Sequence, residues 1–226
     1  MCGRYTLTKP DWFEHDFHSI RPTLADAVRR PRFNVAPGQL VLALSRPAGG
    51  ARVGEAMHWG IPAGWPGGPP QLINARGEKL AGSKYWRSML EDGRCAIPAD
   101  GFYEWKAGTG ASKQKQPIWF RRNQGEPFWF AGLFVPAAED VDAEHACVII
   151  TVEPNELVED VHDRMPAMLT ADQVDEWLTA KPDDAVGLLA PFASTEMTAT
   201  AVSRAVGNAN NEGPELVEPV APESLF

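Results

Sequence analysis

The sequence predicts an α+β fold, with a mainly antiparallel curved sheet or barrel-like core and peripheral helices. Short strand-like runs dominate the chain, several of them alternating apolar and polar residues and bounded by Gly, Pro or Asn. They follow one another closely, as antiparallel strands joined by short turns do. A few amphipathic helical segments interrupt them, which gives the helices their place around the sheet.

Arg4–Thr8 is the first strand, and Pro10–Ser19, with apolar residues at helical spacing, is the first helix. Strands follow at Val41–Ser45 and Ala51–Trp59, then a Gly/Pro-rich loop over Gly60–Pro70 that carries Trp65. Lys84–Asp92 reads as an amphipathic helix. Arg94–Ile97, Gly101–Lys106, Pro117–Arg122, Pro127–Val135 and His145–Val152 read as strands, with Asn123-Gln124-Gly125-Glu126 as a hairpin turn. Thr170 and Gln173 form a capping-box pattern ahead of Val174, Trp177 and Leu178, and a short helix spans Asp183–Leu189. Met197–Val202 is the last strand. Val206–Glu223, rich in Gly, Asn and Pro, reads as an extended tail laid on the surface. With no internal repeat and no charged linker, residues 1–226 are expected to form a single domain whose tail is irregular from about 206.

At 226 residues, 44% hydrophobic and 23% charged, the chain has ample material for a core. No apolar run approaches the roughly 20 residues of a membrane span, and charged Arg4 and Lys9 are followed by no long apolar stretch of a secretory leader. A soluble, cytoplasmic monomer without a membrane partner is expected. The net charge of −9 argues at first against a nucleic-acid partner, but its distribution is uneven. Residues 1–130 carry 18 Lys and Arg against 11 Asp and Glu, whereas residues 131–226 carry 3 against 19. The basic part is either a functional face or a segment kept soluble by the acidic remainder. Cys2, Cys95 and Cys147 lack metal-ligand spacing, and the last two lie in apolar strand-like runs as core thiols. The histidines show no zinc-type spacing and no Gly-rich phosphate loop follows a strand, so neither metal nor cofactor is expected.

The chain opens Met1-Cys2-Gly3-Arg4-Tyr5. Removal of Met1 ahead of the small Cys2 leaves a thiol and a free α-amine on one residue. Such a 1,2-aminothiol condenses with an aldehyde to an imine and closes a five-membered thiazolidine ring, or uses its amine as base to its own thiol. Glu104, in Gly101-Phe102-Tyr103-Glu104-Trp105, shares a strand face with Phe102. Pointing inward it is desolvated, titrates near neutrality and can shuttle protons; pointing outward it is a solvated carboxylate. His162 and Arg164, two apart before Met165-Pro166, can address one anionic ligand together, or His162 is a plain surface residue. Asn74 and Arg76 share that spacing, an amide to orient a hydroxyl or carbonyl and a guanidinium to bind phosphate, in a segment that also reads as a turn. Trp59 and Trp65 offer indole faces on which unpaired bases stack, although most of eight tryptophans must be core.

The order of the motifs carries more than any one of them. Met1-Cys2-Gly3-Arg4-Tyr5, Phe33-Asn34-Val35-Ala36-Pro37, His58-Trp59-Gly60-Ile61-Pro62 and Asn74-Ala75-Arg76-x-Glu78 come first. Arg94-Cys95-x-Ile97-Pro98-Ala99-x-Gly101-Phe102-Tyr103-Glu104-Trp105, Ala131-Gly132-Leu133-Phe134, His162-x-Arg164-Met165-Pro166 and Gly213-Pro214-Glu215-Leu216 follow. Together, over essentially the whole chain, they strongly resemble the SRAP family, the SOS-response-associated peptidase-like or abasic-site-processing proteins. The chain departs from the family pattern at Gly77-Glu78-Lys79, where Ser-Glu-Thr is usual, and in a shifted approach to Trp65.

The resemblance implies a DNA-damage-response protein that binds single-stranded DNA containing abasic sites and crosslinks to them through Cys2, without metal or cofactor. Glu104 is then the proton shuttle, His162 protonates and positions the opening sugar, and Asn74 holds the site by a hydrogen bond. Arg4, Arg76 and Arg164 clamp flanking phosphates, Asn34 and Pro37 belong to the DNA-binding surface, and Trp59 and Trp65 stack on bases. The rival readings are a cysteine peptidase using Cys2, Glu104 and His162, in its smallest version only removing Met1, an amidotransferase-like N-terminal nucleophile hydrolase, and a noncatalytic single-strand-binding module.

Overall fold

The structure, a computed structural model, describes residues 2–16, 30–47, 50–61, 72–108, 114–136 and 145–220. In chain order its strands are Tyr5–Leu7 (β1), Arg32–Val35 (β2), Leu40–Ser45 (β3), Val53–Trp59 (β4), Asn74–Arg76 (β5), Arg94–Ala99 (β6), Gly101–Lys106 (β7), Gln116–Arg122 (β8), Phe128–Val135 (β9), Ala146–Val152 (β10), Met165–Pro166 (β11), Met168–Leu169 (β12) and Met197–Ala201 (β13). The α-helices among the described residues are Lys84–Asp92 (α1), Glu156–Glu159 (α2), Ala171–Thr179 (α3) and Pro182–Gly187 (α4). This is the α+β class that the sequence predicts.

One sheet is wholly antiparallel, in the order β13-β8-β7-β1-β2. The other closes into a five-stranded barrel: β10 pairs with β4, β4 with β3, β3 with β6, β6 with β9, and β9 with β10 again. Within that ring only the β10–β4 pair is parallel. Closure brings three backbones together at Gly132 on β9. A Cβ there would lie 2.9 Å from Cys95 Sγ on β6 and 3.0 Å from Val148 O on β10, so glycine is the residue that fits. Outside the ring, β5 runs parallel to β10, while β11 and β12 pair antiparallel with β10 and β9. Tyr5 joins the sheets, its ring 5.4 Å from that of Trp59 and 5.5 Å from that of Phe130.

The helices are set by their caps and by what they bury. Ser83 caps α1, which buries Met89 and Leu90. Thr170 and Gln173 make the expected capping box for α3, and its buried Trp177 donates an indole N–H to Cys95 O at 2.8 Å. A smaller cluster of Tyr103, Val202, Val206 and Leu216 lies against Phe33, Trp105 and Trp119. Residues 204–217 therefore contribute two buried anchors to the first sheet. Among the described residues, no helix is long and apolar enough to cross a membrane.

Several local expectations change. Pro10–Asp16 is a 3-10 helix rather than an α-helix, with Phe13 buried and Trp12 exposed beneath the Lys9 ammonium; residues 17–19 of that expected helix lie outside the described residues. The turn at Asn123–Gly125 exists, but the strands it joins do not pair. β8 is flanked by β7 and β13, and β9 by β6 and β10, so the turn carries the chain from one sheet to the other. β2, β5, β11 and β12 are unanticipated strands of two to four residues whose partners are distant in sequence.

Candidate active site

The pairing of β1 with β7 sets Tyr5 opposite Phe102 and Thr6 opposite Gly101, and the Tyr103 N–H continues the ladder to Arg4 O at 2.9 Å. Continued one step further, this register puts Gly3 opposite Glu104 and brings Cys2 to that carboxyl's end of the sheet. Alternation along β7 sends Phe102 into the main core and Tyr103 into the smaller cluster, and Glu104 follows Phe102 inward, only 2% exposed. Cys2 is fully buried. On β5, Asn74 lies opposite Ile149 of β10, and its Nδ2 donates to Cys2 O at 2.8 Å. The Asn74 Oδ1 is buried without a hydrogen-bond partner, an acceptor held in reserve beside Cys2. His162 follows α2, with Nε2 4.0 Å from Glu104 Oε2. Cys2, Asn74, Glu104 and His162, far apart in sequence, thus form one continuous group.

Burial pushes the Glu104 carboxyl up to about 7, Asp163 adding to the rise while the positive amino terminus and Lys115 oppose it. Burial, reinforced by Glu104, drives the Cys2 thiol well above its ordinary range, against the amino terminus and an N–H from Arg4. His162 is lowered by burial and by the amino terminus. Two groups meet its Nδ1: the Arg164 backbone N–H at 3.0 Å, which needs a bare nitrogen, and Asp163 Oδ1 at 2.9 Å, which needs a protonated one. Asp163 is solvent-exposed, and a neutral ring that accepts the Arg164 N–H would carry its proton on Nε2, facing Glu104. The group therefore combines an un-ionised thiol, a carboxyl able to give or take a proton near neutrality, an imidazole N–H and an amide.

The expected DNA-contacting residues divide. Arg76 is exposed, and its guanidinium makes no hydrogen bond or ion pair among the described residues. Arg4 is half-buried, with Nη1 donating at 3.0 Å to both Asn34 Oδ1 and Val206 O. Pro37 is half-buried at the first corner of a turn closed by Gln39 N–H to Ala36 O, with Gly38 at φ 86°, the left-handed position a type II turn requires.

Three of the residues expected to contact DNA are buried. Trp59 is fully buried against Tyr5 and donates its indole N–H to Ile73 O at 3.0 Å, so no base can stack on it. Asn34 is also buried, its Nδ2 donating to Asn208 O at 2.9 Å and Asn211 O at 2.8 Å, while its Oδ1 accepts from Arg4. Arg164 is buried with its fork on Glu78 and Thr151 O. Trp65 lies outside the described residues. Sequence reasoning missed Lys115, an exposed cation whose charge acts on both Glu104 and His162, and Glu78 as the counter-charge of Arg164. The basic pair Lys113-Gln114-Lys115 ahead of β8 is the only sequence signal for the first.

Residues 1–209 match the family described as SOS response associated peptidase (SRAP). The chain is 38% identical over 226 residues to the abasic site processing protein YoqW of Bacillus subtilis (strain 168), covering 96% of this chain and 99% of that one. It is 32% identical over 227 residues to the abasic site processing protein YedK of Escherichia coli (strain K12), covering 97% and 100%. A solved protein from Bacteroides thetaiotaomicron is alike in fold, with a TM-score of 0.79 at 18% identity over 97% of this chain and 100% of that one. With a family match over most of its length and relatives alike almost end to end, the chain belongs to the SOS response associated peptidase (SRAP) family.

Proposed function

We propose that this protein processes abasic sites in single-stranded DNA by forming a covalent adduct through Cys2. Two relatives carry abasic site processing in their names. The observation that carries the reading for this chain is Glu104, buried and raised to about 7, set at the Cys2 end of the first sheet while Asn74 holds the Cys2 carbonyl. An aldehyde is the electrophile that suits such a site, and the ring-opened abasic deoxyribose supplies one.

In this reading the hemiacetal opens as the Glu104 carboxylate takes the proton of the anomeric hydroxyl and returns it to the departing ring oxygen, to which His162 Nε2–H donates a hydrogen bond. The α-amine of Cys2, free once Met1 is removed, adds to the aldehyde carbon. The carbinolamine then loses its hydroxyl as water, the proton it needs passing from the nitrogen by way of Glu104, and leaves an imine. The Cys2 sulfur adds to the imine carbon as its proton passes to the nitrogen by way of the Glu104 carboxylate, and the thiazolidine closes. Burial keeps the thiol protonated until that step, which makes the amine the first nucleophile. Exposed Arg76 and Lys115 supply positive charge for the flanking phosphates.

Intact-mass measurement after incubation with single-stranded DNA bearing one abasic site tests this directly. The expected product is a denaturation-resistant adduct at the combined mass less one water. Cys2→Ala should abolish it, and Asn74→Ala should slow it while binding to intact strands holds. An equal adduct yield from Cys2→Ala would rule out the mechanism. Cleavage of a peptide or of glutamine without any DNA adduct would instead favour a peptidase or an amidotransferase.

A further inference from the structure

We propose that Glu78 is a positioning residue, acting through Arg164 to hold the His162 ring with its Nε2–H toward Glu104. Only the activity arm of its test rests on the abasic-site reading. The Arg164 side chain is buried although charged, and a guanidinium taken out of water needs its donors met and its charge opposed. Glu78 opposes the charge and takes a donor from each arm, with Nη1 to Oε1 at 3.1 Å and Nη2 to Oε2 at 2.8 Å, and Nη2 also reaches Thr151 O at 2.7 Å, while the buried Nε has no hydrogen-bond partner. A fork fixed at three acceptors fixes the backbone it grows from, and it is the Arg164 backbone N–H that donates to His162 Nδ1 at 3.0 Å. That bond decides which imidazole nitrogen carries the proton.

Glu78 occupies the 3-10 turn Gly77–Lys79 directly after β5, so the six residues Asn74–Lys79 deliver Asn74 to Cys2 at one end and Glu78 to Arg164 near the other. Glu104 from β7 and Asp163 and Arg164 on its own loop face His162, and the charges of Lys115 ahead of β8 and of the amino terminus act on it. Without Glu78, Arg164 must turn toward water, its N–H loses aim, and Asp163 can capture Nδ1 as an acceptor. The Nε2 proton facing Glu104 is then lost from the resting site.

The test compares the full chain with Glu78→Ala, Glu78→Gln and Arg164→Lys. The His162 imidazole nitrogen shifts are read by NMR without DNA. Adduct rate is measured at saturating abasic single strand, and Kd for an intact strand by fluorescence anisotropy. The wild type should show the Nε2–H tautomer and Glu78→Ala a mixture; the saturated rate should fall roughly 10- to 100-fold while Kd stays within about twofold. Unchanged tautomer and rate in folded Glu78→Ala overturn the proposal. So does tighter binding of the intact strand at an unchanged rate, which would make Glu78 a mere occupant of a phosphate's place. Should Glu78→Ala fail to fold, Glu78→Gln and Arg164→Lys, which keep shape or charge, carry the same tautomer comparison. If the wild type forms no adduct, the abasic-site reading fails and the NMR comparison still decides the role of Glu78.

Discussion

Replacing Glu104 with glutamine should make the folded chain more stable above neutral pH while disabling its chemistry. Glu104 is 2% exposed, and burial raises its carboxyl from 4.5 to about 7. Below about pH 4 the group is protonated both folded and unfolded, and it contributes no pH dependence. Between 4.5 and about 7 the unfolded chain ionises while the folded chain keeps its proton, so stability falls as pH rises, and above about 7 the loss is complete. At roughly 1.4 kcal/mol per pH unit, that interval sets the loss on the order of 3 kcal/mol. Glutamine never ionises, but its amide must find an acceptor where a carboxyl sat, at about 1 kcal/mol. The variant should therefore be about 1 kcal/mol less stable than wild type near pH 4 and about 2 kcal/mol more stable near pH 8. Urea unfolding of both proteins across that range measures the gap, and other titrating groups cancel in the difference. A gap that does not change with pH would show that the folded chain holds no extra proton at Glu104, and the desolvation argument would fall with it. Glutamine can donate a hydrogen bond but can neither give nor take a proton, so adduct formation should slow by roughly 10²- to 10⁴-fold.

Arg76→Ala should reduce the slope of log affinity against log salt for intact single strands by about 1, read by anisotropy titrations at several ionic strengths; an unchanged slope removes Arg76 from the phosphate path. Trp59→Phe loses the indole bond to Ile73 O and should cost about 1–2 kcal/mol in urea unfolding. Its salt slope should stay that of wild type, and a reduced affinity at wild-type stability would restore Trp59 as a stacking residue. Gly101→Ala places a methyl carbon 2.8 Å from Trp119 Cε2 and 2.9 Å from Thr6 Oγ1. A loss of about 3 kcal/mol or more is expected, and an unaltered Tm would contradict the close β1–β7 approach.

What could be read from the chain depended on the range of the interaction. The α3 capping box needs residues three apart, and both its reciprocal contacts form. The inward turn of Glu104 follows from two-residue alternation once Phe102 is taken as core, but choosing between the two faces required the second sheet. Trp59 looked like a ligand surface because nothing local says that Tyr5, 54 positions earlier, covers it. The pairing of Arg164 with Glu78 was not legible because the two are 86 residues apart. β5 is three residues long and is a strand only because β10 offers it an edge, so neither its length nor its composition announced it. The reacting group drew two residues, Cys2 and Glu104, from one sheet and its connection, and two from segments beside β10. Their order in the chain was legible; their convergence depends on how the sheets pack.

Arg4 is held by the carbonyl of Val206, 202 residues along the chain, and Asn34, which braces it, by those of Asn208 and Asn211. Contacts of that span close the largest loops and form late, because the entropy of bringing their ends together must be met before they stabilise anything. The side chains of Arg4 and Asn34 are thus among the last to be fixed. On the proposed reading, an immature chain carries its cysteine without the surroundings that would direct it, and competence to trap an aldehyde would report that folding has reached completion.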